Sequence, residues 1–471
     1  MLTIPHVSST PVLADLCALV GPDRTDALHR AAESLRTRLG DEGTLWHVNS
    51  TAAGGGVAEM LQTLLPLYHE LGVRSRWAVI GGDDRFFVIT KRLGLALYGS
   101  VGDAGPLGPA ERDDYLAALA PAGEELVGLL GPRDVVVLHD HQTAGLVDRL
   151  AARVAAVYWR CHVGVDAPTE ASERGWDFVA PMLSASRQLV FSIDAHVPPR
   201  MRDRPVRVLP PFITPFGAKN GPLSASAVRA GLAHCGLRDD PGAPRTVSTP
   251  SGAVRLAHPP TVVSDGPPPE GEPLVTQVSR WDRLKDMAGV LTGVAAGTRR
   301  GHLALVGPDP DAIADDVEQR FWYAQCLNRW RSLPGAQRRR VSLVCLPMAD
   351  LTENAFLVNA VQRASTVVVQ KSLAEGFGLT VAEAMWKSRV VVGSAVGGIR
   401  AQITHGVDGL LLDDPTDLRR LGKLVDAVLD GEVDGAGIGV RARHRVLRDF
   451  LPDREVLTTA SMIEKEGVLT R

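Results

Sequence analysis

The sequence predicts an α/β protein with two Rossmann-like domains, each a doubly wound parallel sheet, facing each other across a cleft. Short apolar segments rich in β-branched residues alternate with helical segments along the chain. One stretch rich in proline, glycine and serine, residues 236–273, interrupts this alternation. We therefore expect an N-terminal domain at 1–235, a linker or insertion at 236–273, a second domain at 274–450 and a terminal helix at 451–471.

Composition narrows the classes of protein and partner. The 471 residues are 45% hydrophobic and 22% charged, as in a soluble globular chain. A formal net charge of −3 provides no bulk attraction to nucleic acid or to an anionic membrane. The N-terminus lacks the pattern of a signal peptide, no apolar run is long enough to span a bilayer, and the five cysteines have no C-x-x-C spacing. We expect a cytoplasmic protein without disulfides or a zinc site.

The first half begins with helices and continues as alternating strands and helices. Residues 12–40 have apolar side chains at helical spacing, and strands are predicted at 44–49, 76–80, 134–139, 155–160, 188–192 and 206–209. The first strand runs into Gly54-Gly55-Gly56 and a helix from residue 57 to about residue 71. A strand, a glycine loop and a helix together allow a phosphate or another ligand to approach the backbone. The alternative is a loop that only permits tight packing of strand and helix.

Polar residues follow two of these strands. His139-Asp140-His141 and Arg160-Cys161-His162 lie at carboxyl ends of predicted strands, where ligands bind in open parallel sheets. Two histidines beside an aspartate could also bind a metal, but no further ligand is evident in the sequence. We therefore predict no metal site.

The second half of the chain shows the same alternation of predicted strands and helices. Strands are predicted at 274–279, 303–307, 341–345, 367–369 and 390–394, with helices at 317–333, 416–430, 441–449 and 454–466. The preceding Pro/Gly-rich stretch, 236–273, is predicted to be an inter-domain connection with an exposed insertion. An ordered surface loop packed by its own valines is the alternative.

The most informative segment is the strand at 367–369 with the loop and helix that follow it. Gly376 and Gly378 permit a sharp turn, and Thr380 is predicted to cap the helix, whose free amides can bind an oxyanion. Two carboxylates, Glu375 and Glu383, bracket this loop. Thr380-x-x-Glu383 is equally the pattern of a capping box, in which the glutamate only closes its own helix.

The whole string carries more information than the capping pattern. EGFGLTVAEAMW, with seven residues between Glu375 and Glu383, resembles the donor-site signature of retaining nucleotide-sugar glycosyltransferases of the GT-B architecture. The resemblance implies that Glu375 faces the transferred sugar and that Glu383 holds the ribose hydroxyls. A carboxylate can accept two hydrogen bonds from a vicinal diol. The donor-binding residues expected from these segments are Gly55, Gly56, Glu375, Gly376, Phe377, Gly378, Leu379, Thr380 and Glu383.

Two cations follow the strand at 274–279. Arg280 and Lys285 could hold a diphosphate, each with about 4 kcal/mol of Coulomb attraction at 4 Å and an effective dielectric near 20, before desolvation is subtracted. A solvated basic surface is the alternative. SRWDRLKD resembles the S-R-x-x-x-x-K-G pattern that grips donor phosphates in the same glycosyltransferases, with Asp286 in place of the usual glycine.

Further strings narrow the resemblance. VNSTAAGGGVAEML, WRCH, QVSRWD, VNAVQRAS and AVGGI, together with the string above, resemble the trehalose glycosyltransferring synthases. That family implies donor binding in the C-terminal domain, acceptor binding in the N-terminal domain, and a terminal helix that returns to the latter. His162 matches the histidine that approaches the transferred sugar. The acceptor-binding residues expected on the N-terminal domain are Asn49, His139, Asp140, Arg160, His162 and Asp166.

The expected reaction is metal-independent transfer of a hexosyl group, glucose first, from a nucleoside-diphosphate sugar to a small sugar acceptor with retention, with a trehalose-type product. His162, Glu375, Arg280 and Lys285 are the expected catalytic residues. No cofactor is expected, and the partners are the two small molecules and, at most, a second copy of the chain in a homodimer. The alternatives are a cyclitol, aminocyclitol or other natural-product acceptor, a nucleotide-sugar epimerase or phosphorylase, and a non-catalytic sugar-nucleotide sensor.

Overall fold

The computed structural model describes residues 2–7, 11–52, 55–312 and 317–464. These residues form two compact units. Unit 1 contains the described parts of Met1–Ile213, Glu375–Phe377 and Asp449–Arg471, and unit 2 contains those of Thr214–Ala374 and Gly378–Arg448.

Unit 1 is built on a seven-stranded sheet. Its strands are β1 (Leu2–Thr3), β2 (Leu45–Asn49), β3 (Ser75–Ile80), β4 (Val135–His139), β5 (Ala156–Cys161), β6 (Gln188–Phe191) and β7 (Val206–Val208). They lie in the order β1-β3-β2-β4-β5-β6-β7, with β1 antiparallel to β3 and the other pairs parallel. Every residue of β2, β4 and β5 is buried, as expected for parallel strands covered on both faces.

Helices accompany this sheet along the N-terminal part of the chain. They are α1 (Leu13–Val20), α2 (Pro22–Leu39), α3 (Gly56–Glu70), α4 (Asp84–Leu97), α5 (Pro109–Leu129), α6 (Val147–Ala151) and α7 (Glu170–Val179). Short 3₁₀ helices occupy Ala144–Leu146, Ala180–Leu183, Asp194–His196 and Pro199–Met201. Trp46, Trp159 and Phe191 are among the largest side chains in the core of this unit. The six strands predicted from the sequence are all present, within one residue at most of their ends.

Unit 2 has a second seven-stranded sheet and a separate hairpin. Its strands are β8 (Thr246–Thr249), β9 (Gly252–Arg255), β10 (Thr261–Val263), β11 (Leu274–Val278), β12 (His302–Pro308), β13 (Val341–Leu346), β14 (Val367–Gln370), β15 (Val390–Ser394) and β16 (Leu410–Leu412). The sheet has the order β10-β13-β12-β11-β14-β15-β16, in which β10 is antiparallel to its neighbour and the other pairs are parallel.

The helices of unit 2 cover this sheet and connect its strands. They are α8 (Gly217–Asn220), α9 (Ala225–His234), α10 (Met287–Gly297), α11 (Val317–Ser332), α12 (Gly335–Arg338), α13 (Leu351–Ala364), α14 (Leu379–Trp386), α15 (Gly397–Gln402), α16 (Leu418–Leu429) and α17 (Gly435–Asp449). The alternation predicted from the sequence therefore produces two doubly wound sheets, and the predicted fold class is confirmed.

The stretch 236–273 differs from the predicted linker. It lies within unit 2, and the division between the units falls after Ile213. Its hairpin, β8–β9, buries Val247 and Val254, and β10 pairs with β13 as an edge strand. The buried valines match the ordered alternative, because they provide the apolar contacts that a solvated linker lacks.

The final helix, α18 (Pro452–Glu464), belongs to unit 1. Two buried carboxylates attach it there. Arg24 donates hydrogen bonds to Asp453, the shortest at 2.7 Å, and Arg160 donates to Glu455. Both carboxylates are at most 2% exposed. The Arg160–Glu455 pair is buried on both sides, whereas the Arg24 side chain is 20% exposed.

Candidate active site

Three histidines of unit 1 form a hydrogen-bonded row that runs from the middle of β2 to the carboxyl ends of β4 and β5. His47 lies on β2, His139 ends β4, and His162 follows β5. His47 Nδ1 lies 3.1 Å from His139 Nε2, and His139 Nδ1 lies 3.1 Å from His162 Nε2. The rings stack with centroids 5.4 Å apart at both steps. We name His47, His139 and His162 the histidine row.

Every imidazole of the histidine row is held neutral. Burial lowers the pKa of His47 to about 3 and lowers the pKa of His139 and His162 well below the usual value, and the positive charge of Arg160 acts in the same direction. A neutral imidazole has one donor and one acceptor nitrogen, so each contact in the row links the tautomers of two rings. His162, which is half-buried, is the member nearest solvent.

Asp140 shapes the loop that carries His162. Its backbone has a φ of +62°, a conformation that aspartate tolerates better than most residues. Its Oδ1 accepts a 2.6 Å hydrogen bond from the His162 amide, and burial raises the pKa of this carboxyl to about 7. One predicted acceptor-binding residue therefore supports another through the backbone.

Two other predicted acceptor-binding residues point into the protein. Arg160 is 2% exposed and donates to Glu455 and, at 3.4 Å, to the carbonyl of Leu209. Asn49 is 4% exposed, accepts from Trp77 Nε1 at 2.8 Å and donates to the Thr51 carbonyl at 2.7 Å. The geometry does not support direct acceptor contacts for either residue, because interior partners occupy these polar groups.

The glycine loop before α3 is described only in part. Gly54 lies outside the described residues. Gly55 is extended, with φ −141°, and precedes the helix, while Gly56 is its first residue. The predicted succession of strand, glycine loop and helix is present.

Glu375, Gly376 and Phe377 belong to unit 1. A Cβ on Gly376 would lie 2.5 Å from the His162 carbonyl oxygen and 2.9 Å from Tyr98 Oη, so a side chain has no room there. Phe377 packs edge-to-face on Phe450, with centroids 5.3 Å apart, and Glu375 is 8% exposed. Gly376 is thus required by the close approach of the His162 backbone and the Tyr98 side chain, in addition to the sharp turn predicted from the sequence.

The loop ends at Gly378, and the predicted cap at Thr380 is wrong. Gly378 has a φ of +84° and is the residue before α14, whose first residue is Leu379. Thr380 is the second residue of the helix, and no side-chain hydrogen bond caps the amino end of α14 among the described residues. The capping box with Glu383 is therefore absent. The reason is that the left-handed glycine lets the helix begin two residues earlier than a threonine cap would.

Glu383 is a buried carboxylate with a lysine partner. It is 1% exposed, and its Oε1 lies 2.7 Å from Lys219 Nζ. Its Oε2 has no hydrogen-bond partner among the described residues. Lys219 lies on the four-residue helix α8, far from Glu383 in sequence, and no sequence pattern connects the two.

The loop after β11 presents the two predicted phosphate-binding cations. Asp282 Oδ1 accepts from the amides of Leu284 and Lys285 at 2.6 and 3.2 Å. Gln277 Nε2 donates to the Lys285 carbonyl at 2.8 Å. The Arg280 side chain is 59% exposed and lies 3.2 Å from Asp282. These bonds hold the loop while leaving the Arg280 guanidinium largely in solvent.

Asp286 fills the position where the resembling pattern has glycine. Its φ is +45°, in the left-handed region, and its Oδ1 accepts from the Gly289 amide at 3.0 Å as the cap of α10. Its other carboxylate oxygen pairs with Lys371, which follows β14 and is 1% exposed. Asp286 therefore adopts a glycine-like backbone conformation and adds a charge partner. Lys371 was not among the residues predicted from the sequence, although its place at a strand end was a usable signal.

Neither a metal-binding cluster nor a membrane-spanning helix occurs in the described parts of the chain. No group of three or more histidine, cysteine, aspartate or glutamate side chains there could hold a metal ion. No described helix is long and apolar enough to cross a membrane.

Comparisons with known proteins identify the family and the fold of the chain. Residues 47–198 match the family "Trehalose synthase, N-terminal domain", and residues 353–445 match "Glycosyl transferases group 1". A trehalose synthase of Pyrococcus horikoshii is 30% identical over 442 residues, covering 93% of this chain and 92% of that protein. One of Thermococcus litoralis is 32% identical over 443 residues, covering 93% of each.

A solved structure shows the same fold at low identity. The α,α-trehalose-phosphate synthase (UDP-forming) of Burkholderia vietnamiensis matches with a TM-score of 0.65 and 15% identity, covering 90% of this chain and 97% of that one. The resemblance stated from the motifs is confirmed. The chain is a GT-B glycosyltransferase that belongs to the trehalose synthase family.

Proposed function

We propose that this protein transfers a glucosyl group from a nucleoside-diphosphate glucose to a small sugar acceptor with retention of configuration, forming trehalose or a trehalose-like glycoside. Its relatives are named trehalose synthases, and the Burkholderia structure is of an enzyme named UDP-forming. These names and the cations of unit 2 support a nucleoside diphosphate as the leaving group, rather than the inorganic phosphate that a phosphorylase would release.

The observation that carries the proposal is the Glu383 carboxylate. Lys219 neutralises one oxygen, and the other is buried with no partner among the described residues. A buried acceptor without a donor costs about 1–3 kcal/mol, more for a charged group, and this oxygen is therefore available to accept a hydrogen bond from a ligand. The vicinal hydroxyls of a ribose are such donors.

Charge stabilisation is assigned to the same unit. As the glycosidic bond breaks, its electron pair moves to the diphosphate, which gains negative charge. Arg280 and Lys285, with the free amides at the start of α14, would stabilise that charge without a metal ion. We assign the phosphate contacts to these groups.

The sugar is assigned to the loop of unit 1. Glu375 would orient the hydroxyls of the transferred glucose. His162 is neutral, so it can hydrogen-bond a sugar hydroxyl without placing a positive charge beside an oxocarbenium-like centre. The acceptor hydroxyl would attack on the face from which the diphosphate departs, and the departing phosphate would take its proton. This course retains the configuration at the anomeric carbon.

The test is a panel of UDP-, ADP-, GDP- and dTDP-glucose, each incubated with and without free glucose and with and without EDTA. We expect release of nucleoside diphosphate that depends on glucose and persists in EDTA. Proton NMR of the product should show α-linked anomeric protons on both sugar rings. Binding of a nucleotide sugar without turnover with any acceptor in a panel of hexoses and cyclitols would instead indicate a sensor.

A further inference from the structure

A small cavity in unit 1 adjoins the histidine row and separates part of the sheet from the final helix. Its volume is about 10 Å³. Side chains of β2, β4, β5 and β6 line one side of it, and Glu455, Thr459, Met462 and Ile463 of α18 line the other. A cavity needs about 10–15 Å³, measured with a water-sized probe, to hold one water. This space therefore fits a single water molecule and nothing larger.

Three unsatisfied polar atoms belong to residues that line this cavity. His47 Nε2, Arg160 Nε and Glu455 Oε2 have no hydrogen-bond partner among the described residues. Each of the three residues is at most 2% exposed. Leaving a buried donor or acceptor unsatisfied is costly, and most charged of all. Three such atoms around one cavity indicate a partner that they share.

The chemistry of these atoms selects the partner. Arg160 Nε can only donate a hydrogen bond, and the ionised Glu455 Oε2 can only accept one. A cation would meet the guanidinium and an anion would meet the carboxylate, so the partner is neutral. A water can accept from Arg160 and donate to Glu455. It then has one hydrogen and one lone pair left for His47 Nε2, and three hydrogen bonds are typical of a buried water.

The charge of Arg160 decides the direction of the bond to His47. This charge lowers the pKa of His47, in the same direction as burial, so the ring lies in the field of a cation. A nitrogen lone pair that faces a cation is more stable than an N–H bond that faces it. His47 Nε2 therefore accepts from the water, and the proton of this ring lies on Nδ1.

Fixing the tautomer of His47 fixes the whole histidine row. His47 Nδ1–H donates to His139 Nε2, which leaves the proton of His139 on its own Nδ1. That nitrogen donates in turn to His162 Nε2. The proton of His162 then lies on Nδ1, the ring nitrogen that the row does not use. His162 Nδ1–H is the group that remains to donate to an oxygen of a substrate.

We propose that one buried water joins Arg160 and Glu455 to His47, and that this water fixes the histidine row so that His162 presents an Nδ1–H donor. Glu455 of α18 is thereby a positioning residue, which acts on His162 through the water and two rings. Only the assignment of a sugar oxygen to this donor rests on the proposed function. The water and the tautomers do not depend on it.

The wild-type protein provides the first test. A crystal structure should show a water at about 2.7–3.2 Å from Arg160 Nε, Glu455 Oε2 and His47 Nε2. In protein labelled with ¹⁵N-histidine, the ring shifts of His162 should be those of the Nδ1–H tautomer. Absence of density, a metal or chloride ion in the cavity, or the Nε2–H tautomer at His162 would overturn the proposal.

Matched double variants test the positioning role. Arg160→Met with Glu455→Met removes the anchors of the water, and apolar replacement of a buried ion pair is often neutral for stability. We expect the two tautomers of His162 to mix and kcat to fall about five- to tenfold, as for one lost hydrogen bond, with the KM for the donor within about twofold. Arg24→Met with Asp453→Met removes the other ion pair of α18, which does not line the cavity, and should change neither.

The readouts separate this inference from the proposed function. Circular dichroism shows whether each double variant is folded, and the wild-type measurements decide the inference if the first variant is not. Unchanged ring shifts and kcat in the folded first variant, or equal losses in the control, would show that Glu455 has a structural role only. If wild type turns over no nucleotide sugar, the proposed function fails, and the crystal structure and the ring shifts still decide the water and the tautomers.

Discussion

His139 Nδ1 lies 3.1 Å from His162 Nε2, and the opposite nitrogen of His139 lies 3.1 Å from His47 Nδ1. The half-buried ring of His162, which we assign to the sugar, is therefore held by His139, and His139 is in turn held by His47. Because all three are neutral, the direction of the N–H bonds in the row decides which nitrogen of His162 carries its proton.

Replacing His139 tests this positioning role. We expect His139→Phe to lower kcat about tenfold to a hundredfold with little change in donor affinity, since misplacement of a catalytic group by about 1 Å costs about a hundredfold. The ¹⁵N shifts of the His162 ring should also change, because its tautomer loses its partner. His139→Gln, which can still hydrogen-bond, should retain more activity. An unchanged kcat and unchanged ¹⁵N shifts in His139→Phe would show that the histidine row is only packing.

Glu383 provides a test of donor binding. We expect Glu383→Ala to weaken nucleotide-sugar binding by about 2–3 kcal/mol, or roughly thirty- to 150-fold in Kd, through loss of hydrogen bonds to a charged group. Isothermal titration with the donor measures it. Lys285→Ala should instead act mainly on kcat. No capping box involves Glu383, so the substitution should not unfold α14. The circular dichroism spectrum of the variant should match that of the wild type. Unchanged donor affinity would mean that the carboxylate only neutralises Lys219.

The Asp286–Lys371 pair predicts a charge effect on stability. Asp286→Asn retains a side chain that tolerates the left-handed backbone and can cap α10. It leaves the Lys371 ammonium, 1% exposed, without its anion, which should cost about 3–5 kcal/mol in the free energy of unfolding. Urea denaturation checks this value. The double variant with Lys371→Met should recover most of the loss, and simple additivity of the two single effects would argue against the pair.

Buried histidines predict lower stability in acid. Burial lowers the pKa of His47 to about 3 and the pKa of His141 and His302 to about 4. The unfolded chain binds more protons than the folded one between about pH 6.5 and these values, so this stability is present above about pH 6.5 and is lost as pH falls toward about 4. Asp140 has the opposite effect, because its pKa is raised to about 7 and the folded protein binds its proton more tightly than the unfolded chain does. The several histidines outweigh this single carboxyl.

The melting temperature should therefore decrease as the pH is lowered from about 7 to about 4. Replacing His302 with glutamine removes one titrating group, so the difference in unfolding free energy between these pH values should shrink by about 3 kcal/mol. Thermal unfolding of both proteins across this range measures the difference. Parallel curves for wild type and variant would contradict it.

The strands were predictable because their signal is local. Runs such as 367–369 and 390–392 are continuous valines, and a parallel strand buried on both faces favours such β-branched residues. Leu410–Leu412 was not predicted, since three apolar residues do not distinguish a strand from a turn of helix. The capping prediction at Thr380 was wrong because the conformation of Gly378 depends on the loop and not on the threonine.

Side-chain direction was beyond the reach of the motifs. Asn49 and Arg160 lie at or near the ends of strands, as sequence reasoning required, but their polar groups turn inward to Trp77 and to Glu455. The sequence is sufficient to predict that a residue lies near the end of a strand. What the side chain meets depends on neighbouring elements, and the Glu455 of α18 lies 295 residues beyond Arg160 in the chain.

By itself, the sequence determined two α/β units with mostly parallel sheets, the family, and the motif EGFGLTVAEAMW that contains Glu375 and Glu383. These features depend on short-range periodicity and on contiguous motifs. Only the tertiary structure decided that Lys219 meets Glu383, that Asp286 meets Lys371, and that three histidines join in one row. Such contacts arise when packing of separate elements brings distant residues together, and no spacing along the chain encodes that distance.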